Sequence, residues 1–132
     1  AIAMMHENAY VASVSLAADV NQTVKAFKEA EAYHGPSIII AYATCVDWGH
    51  RFGDKAMVQQ QKQAVDSGYW PMYRYNPDKQ GLVDQQSFEL DNKRVDERVM
   101  EDYLSHENRF TSLKRSAPEH AKMLQDAMVE GA

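Results

Sequence analysis

Cysteine is almost missing from this sequence: Cys45 is the only one among 132 residues. A lone thiol excludes an intrachain disulfide framework. It also cannot complete a structural zinc or iron-sulfur site by itself, because each takes several ligands. Cytoplasmic, reducing surroundings are therefore the expectation. Long apolar runs are missing too. No stretch approaches the roughly eighteen apolar residues of a membrane span, and the opening AIAMMHENAY lacks the basic-then-apolar layout of a signal peptide, so no membrane partner is expected. Positive charge is scarce: 14 Lys and Arg stand against 19 Asp and Glu, for a net charge of -5, with no clustered basic stripe. Nucleic acid is excluded as a partner on that ground, since affinity for it rests on neutralising many phosphates. An initiator methionine is also absent, and Ala1 leads almost directly into a strand-like run. A piece of something longer is expected.

What is present is the balance of a globular domain, with 45% hydrophobic and 25% charged residues. Tyr10 to Leu16 (YVASVSL) mixes β-branched and small residues as a strand does, and a turn follows at Ala17 to Asp19. Val20, Val24, Phe27 and Ala30 then recur at helical spacing, with Asp19 or Asn21 placed as N-cap and the helix expected to end near Tyr33. Gly35 and Pro36 stop it. Ser37 to Ala43 (SIIIAYA) is continuously apolar, as in a strand covered on both faces, so Ile38, Ile39 and Ile40 are all expected to be buried. Strand, helix, strand makes a crossover unit, whose two strands should run parallel.

A glycine-bearing loop is expected over Val46 to Asp54, then a helix from about Asp54 to Ser67, capped by Asp54 and closed by Gly68, with Met57, Val58, Ala64 and Val65 inward. Tyr69 to Tyr75 is a strand candidate, at an edge or starting after Pro71, which cannot donate a ladder bond. Asn76-Pro77-Asp78 opens a polar loop, and Phe88 to Leu90 is a short strand candidate. The tail reads as helical, with Val99, Met100, Tyr103 and Leu104 on one face after Asp96, and Ala121, Leu124 and Met128 on another after Pro118. The fold class is α/β: a mostly parallel sheet with flanking helices over residues 1–97, followed by a helical C-terminal extension over 98–132.

In open α/β sheets ligands bind beyond the carboxyl ends of the strands, and Cys45 sits there. Read without context, such a cysteine is a small buried hydrophobe. Cys45, Asp47 and His50 match no established zinc spacing, and His6, His34, His50, His106 and His120 are spread as surface residues are. Glu29 and Glu31, two apart on a helix, do not share a face and read as solvated. Tyr69, Trp70, Tyr73 and Tyr75 read as packing against a sheet face rather than as a stacking platform.

Three stretches, Tyr10 to Cys45, Gln59 to Pro77 (QQQKQAVDSGYWPMYRYNP) and Ser87 to Glu97 (SFELDNKRVDE), together resemble the pyruvate:ferredoxin (flavodoxin) oxidoreductases in order and spacing. The run Arg109 to Ala121 (RFTSLKRSAPEHA) is similar to their continuation. The resemblance places the chain in the carboxy-terminal part of their thiamine-diphosphate and iron-sulfur domain. It implies oxidative decarboxylation of pyruvate to acetyl-coenzyme A with thiamine diphosphate, magnesium and 4Fe-4S clusters, electrons passing to ferredoxin or flavodoxin in a homo-oligomeric parent. Cys45, closing IIIAYATC, looks like the fourth ligand of the cluster nearest thiamine. The family's other three ligands and its Gly-Asp-Gly to Asn-Thr-Gly-Gly segment are absent, so the chain alone is expected to be inactive. After Cys45 it departs from the family pattern, with Val46-Asp47-Trp48-Gly49 where relatives are slimmer. The rival expectation is a non-catalytic interaction or scaffold module derived from the same family.

Overall fold

A computed structural model describes residues 2–45, 53–92 and 94–130. These divide into two compact units, residues 1–42 with 71–92 and residues 43–70 with 93–132. The first holds β1 (Tyr10–Val14), α1 (Val20–Ala32), β2 (Ser37–Ala41), β3 (Tyr73–Tyr75) and β4 (Phe88–Leu90). The second holds α2 (Gly53–Asp66), α3 (Glu97–His106), α4 (Asn108–Ser116) and α5 (Pro118–Glu130). The α/β class with a helical C-terminal tail is borne out.

Among the described residues the sheet order is β2-β1-β3-β4. β1 and β2 are parallel, Val11 opposite Ile38 and Ala12 opposite Ile39, as the crossover reading requires. The sheet as a whole is mixed rather than mostly parallel, because β3 runs antiparallel to β1 and β4 antiparallel to β3. For β3 and β4 the reason is local: the polar connection from Asn76 to Ser87 carries no crossover helix, only a 3-10 turn at Pro77–Lys79, so the chain returns as a hairpin. β3 begins after Pro71, and Pro71 serves instead as an acceptor, its carbonyl taking the Ser13 hydroxyl at 2.7 Å.

The core of the first unit is Tyr10, Ala12 and Val14 from one face of β1, closed by Ala26, with Ala30, Tyr33 and Ile39 packed around it. α1 starts where the Asp19 carboxylate accepts from Gln22 N at 2.9 Å and ends at Tyr33. Its buried residues are Gln22, Thr23 and Ala26. Val20, Val24 and Phe27, the residues that marked its period, face solvent. The expectation for β2 is corrected in the same direction. Ile38 and Ile40 are 42% and 43% exposed and only Ile39 is partly buried, because β2 is the edge strand and α1 covers one face of it.

In the second unit α2 closes as expected at Gly68, whose φ of 81° is the left-handed geometry a glycine adopts freely. Asp54 lies within α2 rather than capping it. Of the loop expected over Val46 to Asp54, positions 53 and 54 fall within α2 and positions 46–52 lie outside the described residues. Ala64 and Val65 are buried, but Val58 is 55% exposed and Gln60 takes the inward position. Gln60 Nε2 donates to the Tyr103 carbonyl and to Glu107 Oε1, tying α2 to the end of α3. α3 is capped by Asp96 and buries Met100, Tyr103 and Leu104. α5 buries Ala121 and leaves Leu124 42% exposed. Tyr69 packs on Tyr103 and edge-on to Phe110, with Arg109 over its ring; in the first unit Tyr73 lies against Phe88. Packing against the sheet therefore holds for Tyr73, while Tyr69 lies outside β3 and packs on helices instead.

Candidate functional site

Cys45 follows the last residue of β2 by four positions and is exposed with a free thiol. Thr44 beside it is buried, and its hydroxyl has no hydrogen-bond partner among the described residues. The donor chemistry here is one accessible sulfur. Asp47 and His50 lie outside the described residues, and among those described no three His, Cys, Asp or Glu side chains converge as a metal site would require. One thiolate fits a four-thiolate cluster as a single corner. His6, His34 and His120 are exposed, and His106 is half-buried with Nδ1 2.8 Å from the Asp102 carbonyl.

The dense polar constellation is elsewhere, on the α1 side of the sheet. Arg74, at the centre of β3, has a side chain only 4% exposed. Its Nε and Nη2 donate to the two oxygens of Asp91, each at 2.8 Å, in a forked pair. Nη1 donates to Glu29 Oε1 at 2.6 Å and Nη2 to Glu89 Oε2 at 2.7 Å. Lys79 Nζ donates to the other Glu89 oxygen at 2.6 Å. Tyr10 Oη donates to Glu29 Oε2 at 3.0 Å, and Gln22 Nε2 donates to Asp91 Oδ2 at 2.9 Å and to the Ser13 carbonyl at 3.2 Å. The carboxylates hold the Arg74 guanidinium charged, its pKa raised above the ordinary range chiefly by the Asp91 bonds. Burial, and then Glu29, push the Tyr10 phenol upward. Lys79, and then Arg74, hold Glu89 below the usual carboxylate range.

Chemically this is a lock rather than a reaction centre. Arg74 spends four of its five N–H donors on three carboxylates, and the carboxylates bind α1, β3 and the end of β4 into one body. Glu29 therefore is not the solvated residue its spacing suggested, although Glu31 is exposed. The signal was present in SFELD: Glu89 and Asp91, two apart in a strand, share a face opposite the one cation of the YRY strand. Among the described residues, Ser15 Oγ and Gln22 Oε1 find no hydrogen-bond partner. In the second unit a groove of about 300 Å³ among α3, α4 and α5 is lined by Glu101, Leu104, Ser105, Thr111, Lys114, Arg115 and Gln125.

No protein-family model matches the chain. Curated relatives do, over nearly all of it. It is 46% identical to a pyruvate-flavodoxin oxidoreductase of Nostoc sp. over 133 residues, 98% of this chain and 10% of that protein. It is 43% identical to a pyruvate:ferredoxin oxidoreductase of Moorella thermoacetica, over 93% of this chain and 10% of that protein. It is 42% identical to a mitochondrial pyruvate dehydrogenase [NADP(+)] of Euglena gracilis, over 98% of this chain and 7% of that protein. The resemblance drawn from the sequence is borne out: this chain is homologous to one short segment of these much longer oxidoreductases.

Proposed function

We propose that this chain, a homologue of one segment of the pyruvate:flavodoxin and pyruvate:ferredoxin oxidoreductases, works inside a longer enzyme that oxidatively decarboxylates pyruvate to acetyl-coenzyme A. Electrons leave through 4Fe-4S clusters to ferredoxin or flavodoxin. The observation that carries this reading is the match along 93–99% of the chain at 38–46% identity, with no part of the fold left over. The relatives' names share pyruvate and differ in acceptor, flavodoxin, ferredoxin or NADP(+), while this segment keeps similar identity to all of them. It therefore serves the pyruvate half that they have in common, and the acceptor is chosen elsewhere in the long protein.

In this reading residues 1–97 are the carboxy-terminal part of a thiamine-diphosphate-binding domain and residues 98–132 its helical extension. Cys45 contributes one thiolate to a 4Fe-4S cluster. Its exposed Sγ suits that role, and the remaining three thiolates come from outside this chain, which has no other cysteine. The residues that hold magnesium and the diphosphate are likewise supplied from outside, as are those that bind coenzyme A. Thiamine diphosphate, when bound, supplies the electron sink for loss of carbon dioxide. The parent is cytoplasmic and homo-oligomeric in this proposal; among the described residues no helix is long and apolar enough to cross a membrane.

Cys45→Ser in the full-length enzyme tests it, since a harder oxygen donor replaces a soft thiolate. Electron paramagnetic resonance is expected to show one 4Fe-4S signal weakened or shifted. Viologen reduction should fall further than exchange of carbon dioxide with the pyruvate carboxyl. An unchanged cluster count with unchanged viologen reduction returns Cys45 to an ordinary exposed thiol.

A further inference from the structure

The flank of α1 opposite the Arg74 cluster carries an apolar surface that the described residues leave bare. At 3.6 residues per turn, Gln22, Lys25 and Glu29 lie on the flank toward β3 and β4, where they meet Asp91, Glu89 and Arg74. Val20 and Phe27 lie on the other flank and Val24 further round toward solvent, and they are 56%, 56% and 45% exposed. Among the described residues β2 is the outermost strand, so its outer edge is free. The Tyr42 amide donates to the Val14 carbonyl and the Pro36 carbonyl accepts from the Tyr10 amide, so even-numbered residues of β2 bond inward to β1. The amides and carbonyls of Ser37, Ile39 and Ala41 consequently point out of the sheet.

Native proteins blunt a free edge with Lys, Pro, a bulge or an inward charge. Ser37–Ala41 has none of these; its residues are SIIIA. A continuous apolar run is instead the mark of a strand with neighbours on every side. The relatives are roughly ten times longer than this chain, which spans only 7–11% of them, so most of the polypeptide that surrounds such a segment lies outside it. We propose that the free edge of β2 and the Val20, Val24 and Phe27 stripe form one seam, filled by an extended apolar segment of the same, longer polypeptide. That segment pairs with β2 through the Ser37, Ile39 and Ala41 main chain and lays apolar side chains against Val24 and Phe27. The proposal rests on the homology with longer proteins and is independent of any ligand role for Cys45.

Hydrogen exchange on the full-length protein, resolved to single amides across residues 37–42, tests the pairing. The Ile39 and Ala41 amides are expected to exchange within roughly 10-fold of the inward-bonded Ile38 and Ile40 amides. Exchange of Ile39 and Ala41 roughly 100-fold or more faster than their neighbours overturns the proposal. Phe27→Cys in the same protein reads the stripe. A maleimide should label that position only after denaturation, and immediate labelling in the native state counts against the seam. Protection of Ile39 and Ala41 that disappears when the protein is diluted to single copies assigns the seam to a second copy and also overturns the proposal.

Discussion

One cross-strand row on the α1 face of the sheet runs Ile39, Ala12, Arg74, Glu89, from an apolar edge to a charged one. The helix above it is divided the same way. One flank sets Gln22 and Glu29 into a dense ionic network, and the other sets Val20, Val24 and Phe27 against solvent. The difference teaches where the segment is finished. Charged groups withdrawn from water must be satisfied within reach, so the network closes using residues of this chain alone. Apolar groups tolerate waiting, because exposing them costs free energy in proportion to area and leaves no unpaired group behind.

The strongest way to break this contrast is to remove Arg74. Arg74→Met strands Glu29, Glu89 and Asp91 around a buried site, and the chain is expected to lose about 3–5 kcal/mol in urea unfolding. Arg74→Lys should fall between, because a point charge cannot reproduce the fork to Asp91. Gln22→Ala is next. It removes one donor to the Ser13 carbonyl and one of the two donors to Asp91 Oδ2, with an expected cost of about 1–2 kcal/mol by the same measurement.

Titration sharpens the comparison further. The folded pKa of Glu89 is depressed, so its contribution is present above the unfolded carboxylate value and is lost as pH falls through the folded one. Tyr10 is raised, so its contribution is complete below the unfolded phenol value, near 10, and is lost as pH rises beyond it. Denaturant midpoints should decline at both extremes, and Tyr10→Phe should remove part of the alkaline decline while leaving the acid one. The smallest effect belongs to the bare flank. Val24→Ser and Phe27→Ser should each change the stability of this chain by no more than about 0.5 kcal/mol, as exposed substitutions do. In the full-length protein the same two changes should be clearly destabilising.

Much of this architecture was legible in the sequence. The β1-α1-β2 crossover, the Asp19 and Asp96 caps, the start of β3 after Pro71 and the helix opened by Pro118 each follow from local signals that tertiary contacts did not override. Burial was less legible. A helical period in Val20, Val24 and Phe27 identifies an apolar face without saying whether its cover lies in the same chain, and Ile38 and Ile40 misled for the same reason. The antiparallel hairpin was hidden in a connection whose length permits either direction. Arg74 was missed because a charged residue between two tyrosines reads as the solvent side of a strand, and its partners lie 15 to 45 positions away.

The split of the first unit into residues 1–42 and 71–92 also sets a timetable for synthesis. Gln22 must wait for Asp91, 69 positions later. At about 5–20 residues per second on a ribosome, the arginine lock cannot close until roughly 3–14 s after α1 begins to emerge. During that interval the nascent β1-α1-β2 unit carries Glu29 without its guanidinium and β1 without β3 at its second edge. An unpaired strand edge is the kind of surface on which incomplete chains associate wrongly, so the span between the first strand and the fourth is the exposed stretch of this timetable.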